Sequence, residues 1–423
     1  MRWSSFGMRF TRSTGALELM EDLGEAIAED SASLFLGGGN PAKIPEVQRR
    51  LRARLAEIST DHELSDRLVG NYAHPKGEIR FRQSLARLLH REYGWDISAD
   101  NVALTAGSQS GFFSLFNLLA GEFPDGSQKR ILLPLIPEYI GYADVGMRDD
   151  FFASKRPLIE ELPDGFFKYH IDLGALHVTG SIGAICVSRP TNPTGNVITD
   201  GELTALDETA RTAGVPLIVD SAYGPPFPAI CFVDSKPLWN DNVILCMSLS
   251  KLGIPGVRTG VVVASEEVVE ALMRMTAVMS LAVGSVGPVL VEDLVESGEV
   301  LAWSRQLIAP YYRQKAQQAC GLLKRALEGL PFRIHVPEGA FFLWLWLPEL
   351  PITSAELYER LKHKGVIVLS GHHFFPGLSE EWPHRHQCLR ISFAQDAAVV
   401  EQAMIMIGAE LRSLHRAAER LSV

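Results

Sequence analysis

Short apolar runs rich in β-branched residues recur along the chain, at 102–105, 131–135, 184–187, 217–219, 243–247 and 261–264. They do not alternate with polar residues, so each reads as a strand buried on both faces. The stretch 200–213, between two of them, is amphipathic at helical spacing. Strand, helix, strand in succession predicts an α/β fold, a three-layer arrangement in which helices flank a mostly parallel sheet. In such sheets ligands bind beyond the carboxyl ends of the strands, so the residues directly after each run matter most.

The pattern changes near Leu301, where a long helical segment precedes an apolar run at 340–346, another helix and a final helix after Phe393. These predict a smaller C-terminal α+β domain. The expected organisation is an N-terminal arm and start of the small domain over 1–45, a large domain over 46–300 and the small domain over 301–423. A chain of 423 residues exceeds the size at which one core keeps growing, and two units leave a cleft between them. No repeat or Gly/Ser-rich linker marks a boundary.

Composition narrows the function classes. Hydrophobic residues make up 47% of the chain and charged residues 21%, ordinary for a globular protein. A formal net charge of -10 argues against binding nucleic acid through a general basic surface and favours small-molecule chemistry. The five cysteines show no C-x-x-C spacing and mostly sit in apolar runs, which reads as buried thiols in a reducing compartment. The N-terminus carries Arg2, Arg9 and Arg12 without the apolar stretch of a secretory signal, so a cytoplasmic location is expected. The segment 275–291 is broken by Ser280, Gly284, Gly287 and Pro288 and is too short to span a membrane, so no membrane partner is expected.

Four strand ends carry unusual polar residues. After 184–187 comes Ser188-Arg189-Pro190-Thr191-Asn192-Pro193-Thr194-Gly195, a rigid turn presenting the Asn192 amide; alone, such a sequence is usually only a turn. After 217–219 come Asp220 and, three residues on, Tyr223; a lone Asp there commonly caps the next element. Ser248-Leu249-Ser250-Lys251 follows 243–247 and puts a lysine in apolar company, where a surface charge would be the plain reading. Ala106-Gly107-Ser108-Gln109 follows 102–105 and opens an apolar helix whose free N–H groups could hold a phosphate.

Taken together and in order, Gly107-Ser108-Gln109, Asn192, Asp220 with Tyr223, Ser248 with Lys251, Arg258 and Arg390 resemble the class I and II aminotransferases of pyridoxal 5′-phosphate (PLP) fold type I. The resemblance runs from Gly39-Asn40-Pro41 to Leu389-Arg390-Ile391-Ser392-Phe393. It implies PLP as cofactor, attached to Lys251, which also moves the proton at the substrate's Cα. Asp220 would keep the pyridine nitrogen protonated, Tyr223 and Asn192 would face the 3′ oxygen, and Tyr139 would stack on the ring. Gly107, Ser108, Gln109, Ser248, Ser250 and Arg258 would hold the phosphate. Arg258 follows Lys251 by seven residues, one fewer than in many members, and is preferred to Arg274. Tyr72 resembles the tyrosine that reaches the neighbouring subunit's phosphate, implying a homodimer. Arg390, assisted by Asn192 and with Gly39 closing over the substrate, would bind the α-carboxylate.

The segment 280–288 lacks the second arginine that dicarboxylate-using members often present, which favours a neutral side chain. The resemblance implies transfer from a neutral aliphatic L-amino acid to a 2-oxo acid, with valine and pyruvate foremost. The rivals are other enzymes on the same fold, an alanine or broad-specificity aminotransferase or a C–S β-lyase, the lyase being distinguished by needing no amino acceptor. A ligand-sensing regulator of this fold would carry a DNA-binding domain ahead of 34–39. His372, His373, His384 and His386 lack a spaced carboxylate or thiol to complete a metal shell and read as a loop over the cleft, and Trp344 and Trp346 read as core.

Overall fold

The computed structural model describes residues 1–28 and 33–421. The predicted apolar runs become strands of one eight-stranded sheet, in the order Val102–Thr105, Gly260–Val263, Val243–Ser248, Leu217–Asp220, Ile182–Ser188, Gln128–Leu133 and Gly121–Glu122, with Phe152–Ser154 also pairing Gln128–Leu133. Its central strands are buried on both faces, as unbroken apolar runs require. Gly260–Val263 runs antiparallel to both neighbours. The parallel strands therefore end on one edge, where Ser188 lies abreast of Asp220, and Ser248 and Thr105 both face Gly260.

Helices cover the sheet. Asp200–Ala213 begins with a capping box between Thr199 and Glu202 and stops at Gly214 in the left-handed region, burying Leu203, Leu206 and Ala210. The segment 275–291 is divided between the helices Glu266–Ser280 and Val286–Ser297, and no helix among the described residues is long and apolar enough to cross a membrane.

A second, six-stranded sheet has the order Leu369–Ser370, Cys388–Ser392, Phe342–Trp346, Arg333–His335, Phe166–His170 and Leu158–Glu161. The last two strands cross the boundary expected at 300. This hairpin, taken from inside the 46–300 segment, pairs in parallel with Arg333–His335 and extends the smaller sheet. Near its start the chain also joins this part: Leu34–Phe35 pairs with Val366–Ile367. Trp344 is fully buried and donates its indole N–H to Tyr169 of the hairpin at 3.0 Å.

The N-terminal arm forms two helices, Ser5–Phe10 and Gly15–Ala28, that touch both parts. Arg9 and Arg12 pair with Asp149 at 2.7 and 2.8 Å, while Asp22 accepts from Lys362 at 2.5 Å and from the Tyr358 hydroxyl.

Candidate active site

The shared edge of the larger sheet opens into a cavity of about 660 Å³. Lined by Gly39, Ser108, Gln109, Tyr139, Asn192, Asp220, Tyr223, Ser248, Ser250, Lys251, Arg258 and Arg390, it brings together most of the residues singled out in the sequence. Gly107 adjoins it through Arg258, whereas Tyr72 stands 88% exposed and does not line it.

One end suits a phosphate. The helix Ser108–Leu119 starts from Gly107, which has φ +84 and supplies no side-chain cap, so the first N–H groups remain for a ligand. A Cβ on Gly107 would stand 2.1 Å from Arg258 Nη2, so only glycine lets the guanidinium approach this turn. Gly260 is fixed by a similar demand, since a Cβ there would lie 2.5 Å from Thr105 Oγ1 and 2.7 Å from the Ser108 nitrogen. Arg258 reaches Ser250 Oγ at 3.3 Å, whereas Arg274 lies on the surface against Glu270. The Ser108 hydroxyl donates to the Met247 carbonyl at 3.0 Å, leaving its backbone N–H as the group this residue can offer.

At the centre, the short helix Leu249–Leu252 directly after Val243–Ser248 carries Lys251. Its amine donates to the Gly39 carbonyl at 2.7 Å and lies 5.2 Å from the centre of the Tyr223 ring. Burial, reinforced by Arg390 and Arg258, pushes the amine down to about 7. A lowered ammonium pKa leaves the amine neutral, and nucleophilic, above that pH. The rate at which apoprotein takes up PLP is therefore expected to be half-maximal near pH 7. An absorbance time course across pH checks this, and a midpoint near the ordinary 10.5 would contradict it.

Asp220 closes the strand Leu217–Asp220 and is buried. Its Oδ2 accepts from the Tyr142 hydroxyl at 2.6 Å and its Oδ1 from the Ala222 N–H at 2.9 Å. Burial raises its pKa, and these bonds and Lys251 oppose the rise. A cationic ring nitrogen is a suitable partner for such a carboxylate.

At the other end Arg390 is 1% exposed in the strand Cys388–Ser392. Its Nη1 donates to Asn192 Oδ1 at 2.7 Å and its Nη2 to the Gly37 carbonyl, but Nε has no partner. The guanidinium lies over Phe342 at 4.3 Å, and burial lowers its pKa to about 10. No carboxylate pairs with it among the described residues, so an anionic ligand would relieve a costly buried charge. The unpaired Nε, the glycine-cleared turn beside Arg258 and the depressed lysine together fit PLP and an amino-acid carboxylate.

Several groups at the site were not singled out in the sequence. Tyr142 and Glu138 lie just outside the cavity lining, where Tyr142 bonds Asp220 and Glu138 bonds the backbone of Ser188 and Tyr139. Ala16, Leu19 and Met20 come from the arm helix and close the cavity with apolar groups. None of the four histidines lines the cavity: His384 is buried between Trp382 and Trp346 and bonds Tyr169, while His372 bonds Ser370 at 2.7 Å. No group of three metal-ligating side chains is arranged to hold an ion among the described residues.

Comparison with known proteins agrees with this geometry. The family model for aminotransferase class I and II matches residues 151–407. The chain is 48% identical to valine–pyruvate aminotransferase of Escherichia coli over 97% of its own length and 98% of that protein. The crystal structure of valine-pyruvate aminotransferase from Salmonella typhimurium superposes with a TM-score of 0.88 at 46% identity, covering 95% of this chain and 100% of that one. Aspartate aminotransferase of Thermus thermophilus shares the fold, with a TM-score of 0.74 at 19% identity over 97% of this chain and 100% of that one. The chain belongs to the class I and II aminotransferases.

Proposed function

We propose that this aminotransferase moves the amino group of a neutral aliphatic L-amino acid to a 2-oxo acid, with L-valine and pyruvate giving 3-methyl-2-oxobutanoate and L-alanine. The observation that carries the specificity is the 48% identity to valine–pyruvate aminotransferase over nearly the whole chain. The cavity supports it. Ala16, Leu19, Met20 and Phe112 line it with apolar groups, suited to a hydrocarbon side chain, and 280–288 holds no basic residue for a second carboxylate.

PLP, the cofactor of this family, supplies when bound the electron sink that lets the substrate's Cα–H bond break. Lys251 Nζ would hold the cofactor and move the proton at the substrate's Cα, a task suited to an amine lowered to about 7. Asp220, braced by Tyr142, would hold positive charge on the ring nitrogen. Asn192 and Tyr223 would donate to the 3′ oxygen while Tyr139 covers the ring. The phosphate would rest on Gly107, Ser108 and Gln109 with Ser248, Ser250 and Arg258. Arg390 and Asn192 would hold the α-carboxylate, and Gly39 would close over the substrate.

A homodimer fits the same reading. Tyr72 is 88% exposed, so it is free to reach a second copy's phosphate, and Val278 and Leu281 are also exposed apolar groups at 89% and 66%. The free cysteines suit a cytoplasmic location.

The assay adds L-valine to the PLP-loaded protein without any oxo acid. Stoichiometric 3-methyl-2-oxobutanoate, with cofactor absorbance restored by pyruvate and alanine formed, is the expected result. A cofactor spectrum that valine leaves unchanged removes the valine assignment. Release of ammonia without an acceptor would favour the lyase.

A further inference from the structure

Glu138 lies in the cis-proline turn 136–139, and its side chain is fully buried. An acid there costs desolvation, and no basic side chain among the described residues pairs with it; burial and the nearby charge of Asp220 raise its pKa, hydrogen bonds from Ser188 and Tyr139 oppose the rise, and the balance lies at about 8. The acid's geometry accounts for its presence. Oε1 accepts the Ser188 N–H at 2.8 Å, and Oε2 accepts the Tyr139 N–H at 3.3 Å and bonds the Ser188 hydroxyl. Three donors thus converge on two acceptor oxygens, which a carboxyl can satisfy and a carboxamide, with one oxygen, cannot.

The partners are not scattered core groups. Tyr139 and Ser188 both line the cavity, and Ser188 stands abreast of Asp220 in the sheet. The Ser188 carbonyl accepts from the Thr191 hydroxyl at 3.0 Å, at the turn that presents Asn192. Glu138's own N–H donates to the Phe374 carbonyl at 2.8 Å, and the Phe374 ring lies 5.2 Å from the Arg390 guanidinium. The buried carboxyl therefore joins the aromatic cover to the strand end beside Asp220, and the backbone of the same residue ties this turn to Phe374 near Arg390.

We propose that Glu138 is a positioning residue of the active site, fixing Tyr139 and the Ser188–Asn192 turn relative to Asp220 so that the cofactor ring is gripped in one orientation. The proposal rests on the family's cofactor and not on the choice of valine, so a failed valine assay leaves it standing.

The test compares Glu138→Gln and Glu138→Leu with the parent, measuring PLP affinity by titration of apoprotein and, in the PLP-loaded proteins, circular dichroism induced in the bound cofactor, kcat and KM for pyruvate, and melting temperature. Loss of one acceptor oxygen in Glu138→Gln, and of both in Glu138→Leu, should weaken PLP binding by at least about tenfold and shrink the induced signal. The fall should appear in kcat, with KM for pyruvate changed less than about threefold. PLP affinity within threefold of the parent, with the induced signal unchanged, overturns the proposal even if the melting temperature falls, because only fold stability would then depend on Glu138. Should both variants fail to fold, Ser188→Ala decides: weakened affinity and signal support the proposal, and unchanged values overturn it.

Discussion

Replacing Lys251 by alanine is expected to cut kcat by at least about 10⁴-fold, because one amine both anchors the cofactor and carries the proton at Cα. The variant should still fold, since the side chain's hydrogen bond goes to the Gly39 carbonyl at the cavity and not into the core. It should also bind PLP without the absorbance of a lysine-bound cofactor. Full activity in Lys251→Ala would sink the mechanism. The half-reaction with valine, followed by absorbance and by oxo-acid yield, is the direct measurement.

The second large effect concerns Arg390. Truncating one partner of a buried, hydrogen-bonded charge pair costs about 2–5 kcal/mol, or roughly 30- to 5,000-fold in kcat/KM. Arg390→Met is therefore expected to lose that much toward every amino acid the enzyme accepts, because the α-carboxylate is common to all of them. Its effect on the ligand-free protein should run the other way. A guanidinium 1% exposed, without a carboxylate partner and with Nε unsatisfied, is a burden on the apoprotein. Methionine fills similar volume beside Phe342 and Phe374 without that charge. Apoprotein carrying Arg390→Met should melt no lower than the parent, and calorimetry checks this. Loss of activity together with a large drop in melting temperature would mean that Arg390 serves the fold.

Much of this was legible in the sequence for a physical reason. A strand buried on both faces must be written as an unbroken apolar run, so Leu217–Asp220 and Val243–Ser248 announce themselves, and a polar residue directly after them stands out. Lys251, Asp220 and Asn192 were visible in that way. Tyr142 was not, because its hydroxyl meets Asp220 across 78 residues and nothing local marks the pairing. For Glu138 nothing local in the sequence shows that its carboxyl is buried or that it bonds Ser188, fifty residues on. Ala16, Leu19 and Met20 belong to an amphipathic helix, whose pattern says that one face is covered but not by what. The hairpin Leu158–Glu161 and Phe166–His170 is missed for the same reason: strand pairing is non-local, and a run such as Phe-Phe-Lys-Tyr-His carries no mark of its sheet.

That borrowed hairpin also sets an order on biosynthesis. The smaller sheet draws its strands from 158–170, 333–346 and 369–392, so its outer two strands leave the ribosome long before their neighbours exist. Contacts of such long sequence separation form late. Among the described residues, the strand bearing Arg390 is the last to be made. The strand that carries the carboxylate-facing Arg390 is thus made after the segments that carry Lys251, Asp220 and the Gly107 turn, so the carboxylate end of the cavity is the last of its parts to be completed.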